Sequence, residues 1–342
     1  MDNSTQNFLP NKTSHWLVCP AGRFDFIRGG IQLVIKVENI VKRYGELLAL
    51  DHFSLEVREG EIFGLLGPNG SGKTTAINCI LSLLTFEKGN ISIFGKPMSP
   101  DAYDIKQNIG VVMQNVAIFN ELTVFENIDY FCGLYIKEAE RRRQLVSEAI
   151  DLVGLNDFKK FYPKKLSGGL LRRLNIACGI SHKPKLIILD EPTVAVDPQS
   201  RNNILEGILK LNRDGATILY TSHYMEEVEQ ICSRIMILDK GHAIATGTKD
   251  ALKDMISLGE KITVEVFGLT EGQLQAVKAL PNIVSTVFHD KTLIVKSQKG
   301  KNNLENLLAL LKNQNISFGK IYSELPTLND VFLEITGKEL RD

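Results

Sequence analysis

The sequence predicts an α/β fold: a mostly parallel sheet covered by helices, followed by a smaller α+β unit. Three observations carry that reading. Short β-branched runs alternate with helical stretches over residues 34–246. A glycine-rich loop, "GPNGSGKTT" at residues 67–75, joins the apolar strand "EIFGLLG" to the helical stretch "AINCILSLL". Over residues 258–342 the pattern becomes βαββαβ. Alternating strands and helices favour parallel pairing because each crossover helix covers a sheet face, and βαββαβ is the order of a split-βαβ, ferredoxin-like unit.

At 342 residues the chain has room for about two domains. A hydrophobic content of 44% is enough for a substantial buried core. Lys plus Arg and Asp plus Glu each number 40, so no bulk charge draws the chain to nucleic acid or an anionic surface, and no nucleic-acid partner is expected. The basic "RRR" at 141–143 sits in helical pattern and reads as a solvated face. The 5 cysteines, at positions 19, 79, 132, 178 and 232, show no CxxC and no metal-spaced histidine. Cys79, Cys132 and Cys178 read as small core residues in a reducing compartment. No apolar run approaches the ~20 residues that a membrane span requires, so any link to a membrane is expected to go through a partner. Residues 1–33 stand apart, polar and turn-rich at first and then without a sustained period. They are expected to be a disordered tail or a mis-set gene start. "RGG" at 28–30 can be encoded by the purine-rich codons of a bacterial ribosome-binding site, with Leu33 or Val34 at a start-codon distance.

Each element follows from local pattern. "VIKVENIVKRYG" is a strand and turn, and "LLALDHFSLEVREGEIFGLLG" gives two strands separated by "REG". The first helix is expected from Gly72 to about Leu84, and "GNISIFGKPM" as a strand pair at an edge. Asp101 to Ile180 is mainly helical with "IGVVMQN" as one embedded strand. "KPKLIILDEPT" is a buried strand ended by acids; helix "PQSRNNILEGILKLNRDG", strand "ATILYTSH", helix "YMEEVEQICS" and a single strand "RIMILDKGHAIATG" continue the alternation. A boundary is expected near "GTKDALKDMISLGEK". No second phosphate loop follows it, so the chain carries one nucleotide site.

Gly67, Gly72, Lys73 and Thr74 fit the phosphate-loop pattern, with a strand before and a helix after. The whole loop, Gly67, Pro68, Asn69, Gly70, Ser71, Gly72, Lys73, Thr74 and Thr75, is assigned to nucleotide binding. Its glycines let backbone N–H groups converge on a phosphate at the positive end of the following helix. Lys73 brings charge to the β- and γ-phosphates, and Thr74 offers a hydroxyl to Mg²⁺. A nucleoside triphosphate with Mg²⁺ is therefore the expected ligand. Asp190 ends a buried strand, where an unpaired carboxylate is costly unless it faces a cation or donors, and is read as a second magnesium ligand. Glu191 follows it and is read as the residue that polarises the attacking water.

These features leave GTPases, RecA-like motors and small-molecule kinases open. No NKxD stretch is present to read guanine. "KKLSGGLLRRLNIACGI" at 164–180 opens a helix with a serine and two glycines, a second phosphate clamp of N–H donors, hydroxyl and dipole. In a chain with one nucleotide site, a spare clamp makes sense if it closes on the nucleotide of another subunit.

"GPNGSGKTT", "LSGG" and "LIILDEPT" together resemble the ATP-binding subunits of ATP-binding-cassette (ABC) transporters, over residues 35–245. "RRLNIA", "TSHYMEEVE" and "LPTLNDVFLEITG" resemble the bacterial exporter group that includes daunorubicin-resistance and sodium-export ATPases. The resemblance implies a P-loop NTPase fold: a RecA-like parallel core, an antiparallel β subdomain and a helical subdomain at about 115–180. It implies ATP and Mg²⁺ as ligands, an integral-membrane permease as partner, and a homodimer or a heterodimer with a homologous ATPase. The place implied is the cytoplasmic face of the membrane.

The same resemblance implies roles for further residues. Tyr44 would stack on adenine. Gln114 would touch Mg²⁺ and the attacking water, with the permease contact in the segment "NVAIFNELTVFENIDYFCGLY" after it. Ser167, Gly168 and Gly169 would meet the γ-phosphate held by the other subunit, Asp197 would lie at the dimer seam, and His223 would contact the γ-phosphate. The sequence departs from the group at Leu170, where a polar residue is usual, and at Val194-Ala195-Val196, where small-Gly-Leu is usual. The expected function is ATP hydrolysis that energises export. A role in translation or DNA repair and a non-catalytic ATP switch remain as alternatives.

Overall fold

The computed structural model describes residues 32–299 and 303–337. The expectation of a disordered or mis-set start concerns residues outside those described, except that Leu33 already opens the first strand. That strand, β1 (Leu33–Tyr44), pairs antiparallel with β2 (Leu47–Arg58). β3 (Ile62–Leu66) is buried along its whole length and leads through the glycine loop into α1 (Lys73–Ile80). α1 ends a turn earlier than expected, because Ser82 turns left-handed at φ 54, a conformation an α-helix cannot continue through. β4 (Lys88–Ile93) and the short β5 (Lys96–Pro97) complete an antiparallel sheet of order β2-β1-β4-β5.

After α2 (Tyr103–Lys106), β6 (Ile109–Val112) enters the main sheet. A helical layer follows: α3 (Val124–Gly133), α4 (Ala139–Leu152) and α5 (Gly168–Ile180). A reciprocal Thr123–Glu126 capping box starts α3. Val124, Ile128, Cys132, Val146, Ile150 and Leu174 fill the space between these helices. The chain then alternates through β7 (Leu186–Asp190), α6 (Pro198–Arg213), β8 (Thr217–Ser222), α7 (Met225–Ile231), β9 (Arg234–Asp239) and β10 (His242–Gly247).

The six-stranded main sheet has the order β10-β9-β3-β8-β7-β6 and is parallel except at β10. The stretch expected as one strand at 234–247 is thus a hairpin. Lys240 (φ 47) and Gly241 (φ 81) supply the paired left-handed residues of a two-residue turn. Successive residues alternate between faces. Ile62, Leu66, Ile187, Leu189 and Ile218 pack with α5, α6 and α7, while Phe63, Leu65, Ile188 and Leu219 pack with α1 and the antiparallel sheet.

Beyond α8 (Lys249–Asp254) come β11 (Leu258–Val266), α9 (Glu271–Lys278), β12 (Ile283–His289), β13 (Thr292–Gln298), α10 (Asn303–Asn313), β14 (Phe318–Glu324) and α11 (Leu328–Thr336). β11 to β14 form an antiparallel sheet of order β12-β13-β11-β14. Its core includes Ile262, Val264, Leu293, Val295, Leu307 and Leu311. α11 leaves this unit: Leu328, Val331 and Phe332, spaced for one helix face, join the main-sheet core with Val228, Ile231 and Leu252. The Leu328 N–H donates to Glu229 Oε1 at 2.6 Å, and the Ser257 N–H to Glu334 Oε1 at 3.0 Å.

Behind α5, His182 is buried and stacks on Tyr135 with ring centroids 3.8 Å apart and 8° between planes. Burial pushes its pKa down from 6.5 to about 4, against a smaller opposing pull from the Ile109 backbone. The folded state therefore refuses a proton that the unfolded chain accepts, and this imidazole makes stability fall as pH drops from about 6.5 to 4. The full loss is roughly 3 kcal/mol. Urea unfolding across that interval should show His182→Gln losing less stability than the parent by about this amount. An equal loss in both would remove His182 as the source.

Candidate functional site

The glycine loop is wedged between the ends of β9 and β2. A Cβ on Gly67 would lie 2.2 Å from the Leu238 carbonyl oxygen, and one on Gly72, at φ 110, would lie 2.8 Å from that of Ala49. No side chain can occupy either position without moving main chain. The Gly241 N–H donates to the Ser71 carbonyl at 2.8 Å, so the β9–β10 turn anchors the loop. Pro68 is half-buried, while Asn69 and Gly70 form an exposed arch. Gly72 caps α1 without a side-chain partner, which leaves the N–H groups of the first turn, including those of Lys73, Thr74 and Thr75, open to an anion.

Lys73 is only 4% exposed, and its Nζ donates to the carbonyls of Gly67 at 2.8 Å and Pro68 at 3.1 Å. The same Nζ lies 3.1 Å from Glu191 Oε1. Thr74 Oγ1 donates to Asp190 Oδ2 at 2.9 Å, and Thr221 Oγ1 donates to Asp190 Oδ1 at 2.7 Å. Glu191 stands at φ 47 with its N–H donating to Thr221 Oγ1 at 3.0 Å. A left-handed glutamate is held only where its surroundings enforce it, and such strain gathers at functional sites. Glu191 Oε2 is 3.2 Å from His223 Nδ1. The fold thus brings Lys73, Thr74, Asp190, Glu191 and His223 into one cluster from α1, β7 and the end of β8.

These residues fit a magnesium nucleotide. Thr74 and Asp190 present hard oxygen donors side by side, the type Mg²⁺ prefers. Ser71 Oγ is buried without a protein partner among the described residues, in a loop whose N–H groups converge.

Other residues named from the sequence lie nearby or apart. Gln114 is exposed just past β6. Tyr44 is 45% exposed at the end of β1, with Lys42 Nζ 5.2 Å from its ring centroid. Ser167 caps α5, its Oγ accepting from the Leu170 N–H at 3.4 Å, and both Ser167 and Gly168 are exposed. Gly169 is buried against α6; a Cβ there would lie 2.7 Å from Ser200 Oγ and 3.1 Å from Asp197 Oδ2. Asp197 caps α6 by accepting the Ser200 N–H at 2.9 Å, and that bond holds its carboxyl below the usual carboxylate range. Leu170 packs on the helical-layer core, which accounts for an apolar side chain at that place. Ala195 sits at φ 59, a left-handed position that costs a residue with a Cβ about 1–2 kcal/mol.

Two residues escaped the sequence reading. Glu227 on α7 is 3% exposed, and its Oε2 accepts from Thr193 Oγ1 at 2.7 Å, Tyr220 Oη at 2.7 Å and Ser222 Oγ at 3.0 Å. Its Oε1 pairs with Arg201 Nε at 3.2 Å. This network fixes the main chain on both sides of His223, and its only trace in the sequence was an acid one helical turn after that histidine. The other is Arg172 on α5, a residue only 4% exposed, whose guanidinium donates to the carbonyls of Met113, Gln114, Asp190, Glu191 and Pro192.

Comparison with known proteins agrees with this geometry. The family described as "ABC transporter" matches residues 50–194. The chain is 38% identical over 311 residues to the linearmycin resistance ATP-binding protein LnrL of Bacillus subtilis (strain 168), covering 90% of this chain and 100% of that one. It is 34% identical to the daunorubicin resistance ATP-binding protein DrrA3 of Streptomyces coeruleorubidus, covering 90% and 97%. Among solved structures, the dimeric post-hydrolysis state of the ATP-binding cassette MJ0796 bound to ADP and Pi superposes with a TM-score of 0.58 at 28% identity, covering 63% of this chain and 98% of that one. With its glycine loop, acid pair and serine-glycine helix start on a P-loop NTPase sheet, the chain belongs to the ATP-binding subunits of ABC transporters, ATPases that use ATP with Mg²⁺.

Proposed function

We propose that the chain energises export of a substrate through a separate integral-membrane permease, at the cytoplasmic face of the membrane. The observation that carries the hydrolytic part is the buried Lys73–Glu191–His223 contact set beside the Thr74–Asp190 pair. Lys73 and the loop N–H groups grip the β- and γ-phosphates, and Tyr44 stacks on adenine. Thr74, Asp190 and Gln114 hold Mg²⁺, which when bound neutralises charge on the phosphates. Glu191 takes the proton of the attacking water while His223 keeps its carboxylate aimed and meets the γ-phosphate. Ser167, Gly168 and Gly169 serve the nucleotide of a second chain, identical or homologous, with Asp197 at the seam between the two. The exposure of Ser167 and Gly168 in a single chain supports that reading.

The permease contact is read at the start of the helical layer. Phe119, Phe125 and Tyr130 are 41%, 37% and 47% exposed there, and Phe119 meets Tyr130 edge-on with centroids 4.9 Å apart. Export as the direction is supported by relatives named Nod factor export ATP-binding protein I, 33% and 35% identical to this chain. Detergent-solubilised membranes from cells making the tagged chain should yield a polytopic membrane protein in about equimolar amount, and its gene deletion should release the chain from the membrane fraction. Retention without that partner, or recovery with ribosomes whose addition stimulates hydrolysis, would replace this reading with a non-transport role.

A further inference from the structure

Arg172 makes an unusual set of bonds. Its Nε donates to the Pro192 carbonyl at 2.7 Å, Nη1 to those of Met113 and Gln114 at 2.8 Å each, and Nη2 to those of Asp190 at 3.1 Å and Glu191 at 2.9 Å. Three segments therefore meet on one planar cation: the exit of β6 with Gln114, the exit of β7 with Asp190 and Glu191, and α5, the helix opened by Ser167. Burial presses the guanidinium towards its neutral form, and the nearby Asp190 and Glu191 carboxylates oppose that; arginine keeps its charge in either case. A buried cation held by carbonyl dipoles is a costly way to pin a helix to a sheet. Its return is geometric, because the rigid fork fixes the main chain of Gln114 and the main chain of Glu191 relative to each other and to α5.

We propose that Arg172 is a positioning residue for hydrolysis: it sets Gln114 and Glu191 in register and makes that register depend on the placement of the Ser167 helix. The main-chain atoms it holds belong to the residues that carry the water-organising side chains. A shift of α5 relative to the sheet is transmitted through the fork to both exits at once. Lysine, with a single nitrogen, cannot span five acceptors spread over the two strand exits. The inference rests on the roles given above to Gln114 and Glu191.

The test compares Arg172→Lys with the parent and repeats the exchange in a Gln114→Ala background. Thermal melting, binding of a fluorescent ATP analogue and steady-state hydrolysis are read for each. Arg172→Lys should bind the analogue within threefold of the parent and keep its KM within threefold, while kcat falls about tenfold or more. In the Gln114→Ala background the same exchange should cost measurably less than in the parent, since the share of the loss that acts through Gln114 is already gone and only the share through Glu191 remains. A kcat within twofold of the parent, an equal loss in both backgrounds, or a loss matched by equally weakened binding would each overturn the proposal. So would a variant that melts below the assay temperature, because the guanidinium would then serve the fold and not the reaction. Glu191→Gln run beside it separates the two levels: full turnover there overturns the underlying assignment, whereas full turnover in Arg172→Lys alone overturns only this one.

Discussion

Replacing Glu191 with glutamine should leave ATP binding intact or slightly tighter and lower turnover by about 10²–10⁴-fold, the range a positioned general base supplies. The geometry gives both halves. Lys73 Nζ lies 3.1 Å from Glu191 Oε1, so a phosphate arriving at Lys73 competes with this carboxylate. The amide removes the competing charge, while the bonds from Lys73 to the Gly67 and Pro68 carbonyls remain. The amide fills the same volume yet cannot accept the proton of the attacking water. With hydrolysis blocked and binding kept, the ATP-loaded chain should accumulate as a dimer. Size-exclusion chromatography with Mg²⁺ and ATP, beside a phosphate-release assay, reads both. Turnover near that of the parent would take Glu191 out of the catalytic step.

Lys73→Ala should weaken ATP binding at least a hundredfold, roughly 3 kcal/mol, the scale for removing one partner of a buried charge pair. With the ammonium gone, Glu191 and Asp190 remain as buried carboxylates with exposures of 5% and 0%, beside the place the triphosphate must occupy. Two loop carbonyls also lose their donor, so the arch over residues 67–70 loosens and the melting temperature drops. Equilibrium binding of a fluorescent ATP analogue decides the matter. Unchanged affinity would mean that the loop does not hold the phosphates.

The phosphate loop and acid pair are legible in the sequence because each is local: a few consecutive residues between an apolar strand and a helix already dictate the backbone. The alternation of strands and helices likewise follows from burial and period. The misjudged elements turn on single residues with left-handed backbones. Ser82 stops α1 early, and Lys240 with Gly241 folds a long apolar stretch into a hairpin. Arg172 was invisible for a different reason. Its acceptors are main-chain carbonyls of residues far away in sequence, and a carbonyl leaves no mark on residue type. Glu227 was obscured in the same way, as one acid among several on an amphipathic helix, distinguished only by the three hydroxyls that converge on it. Ala195 is the reverse case. Family resemblance marks it as standing where glycine is usual, and the left-handed turn at that residue is the physical reason for the family's glycine.

The docking of α11 onto α7 and α8 changes how the last third of the chain should be cut. The four-stranded antiparallel sheet at 258–324 is spliced into the ATPase body and does not trail behind it. Truncation at a boundary near 258 would strip three buried apolar side chains from that body and leave Glu229 without the Leu328 amide. A graft between relatives should therefore exchange only the segment from β11 to β14 and retain residues 328–336 with the host.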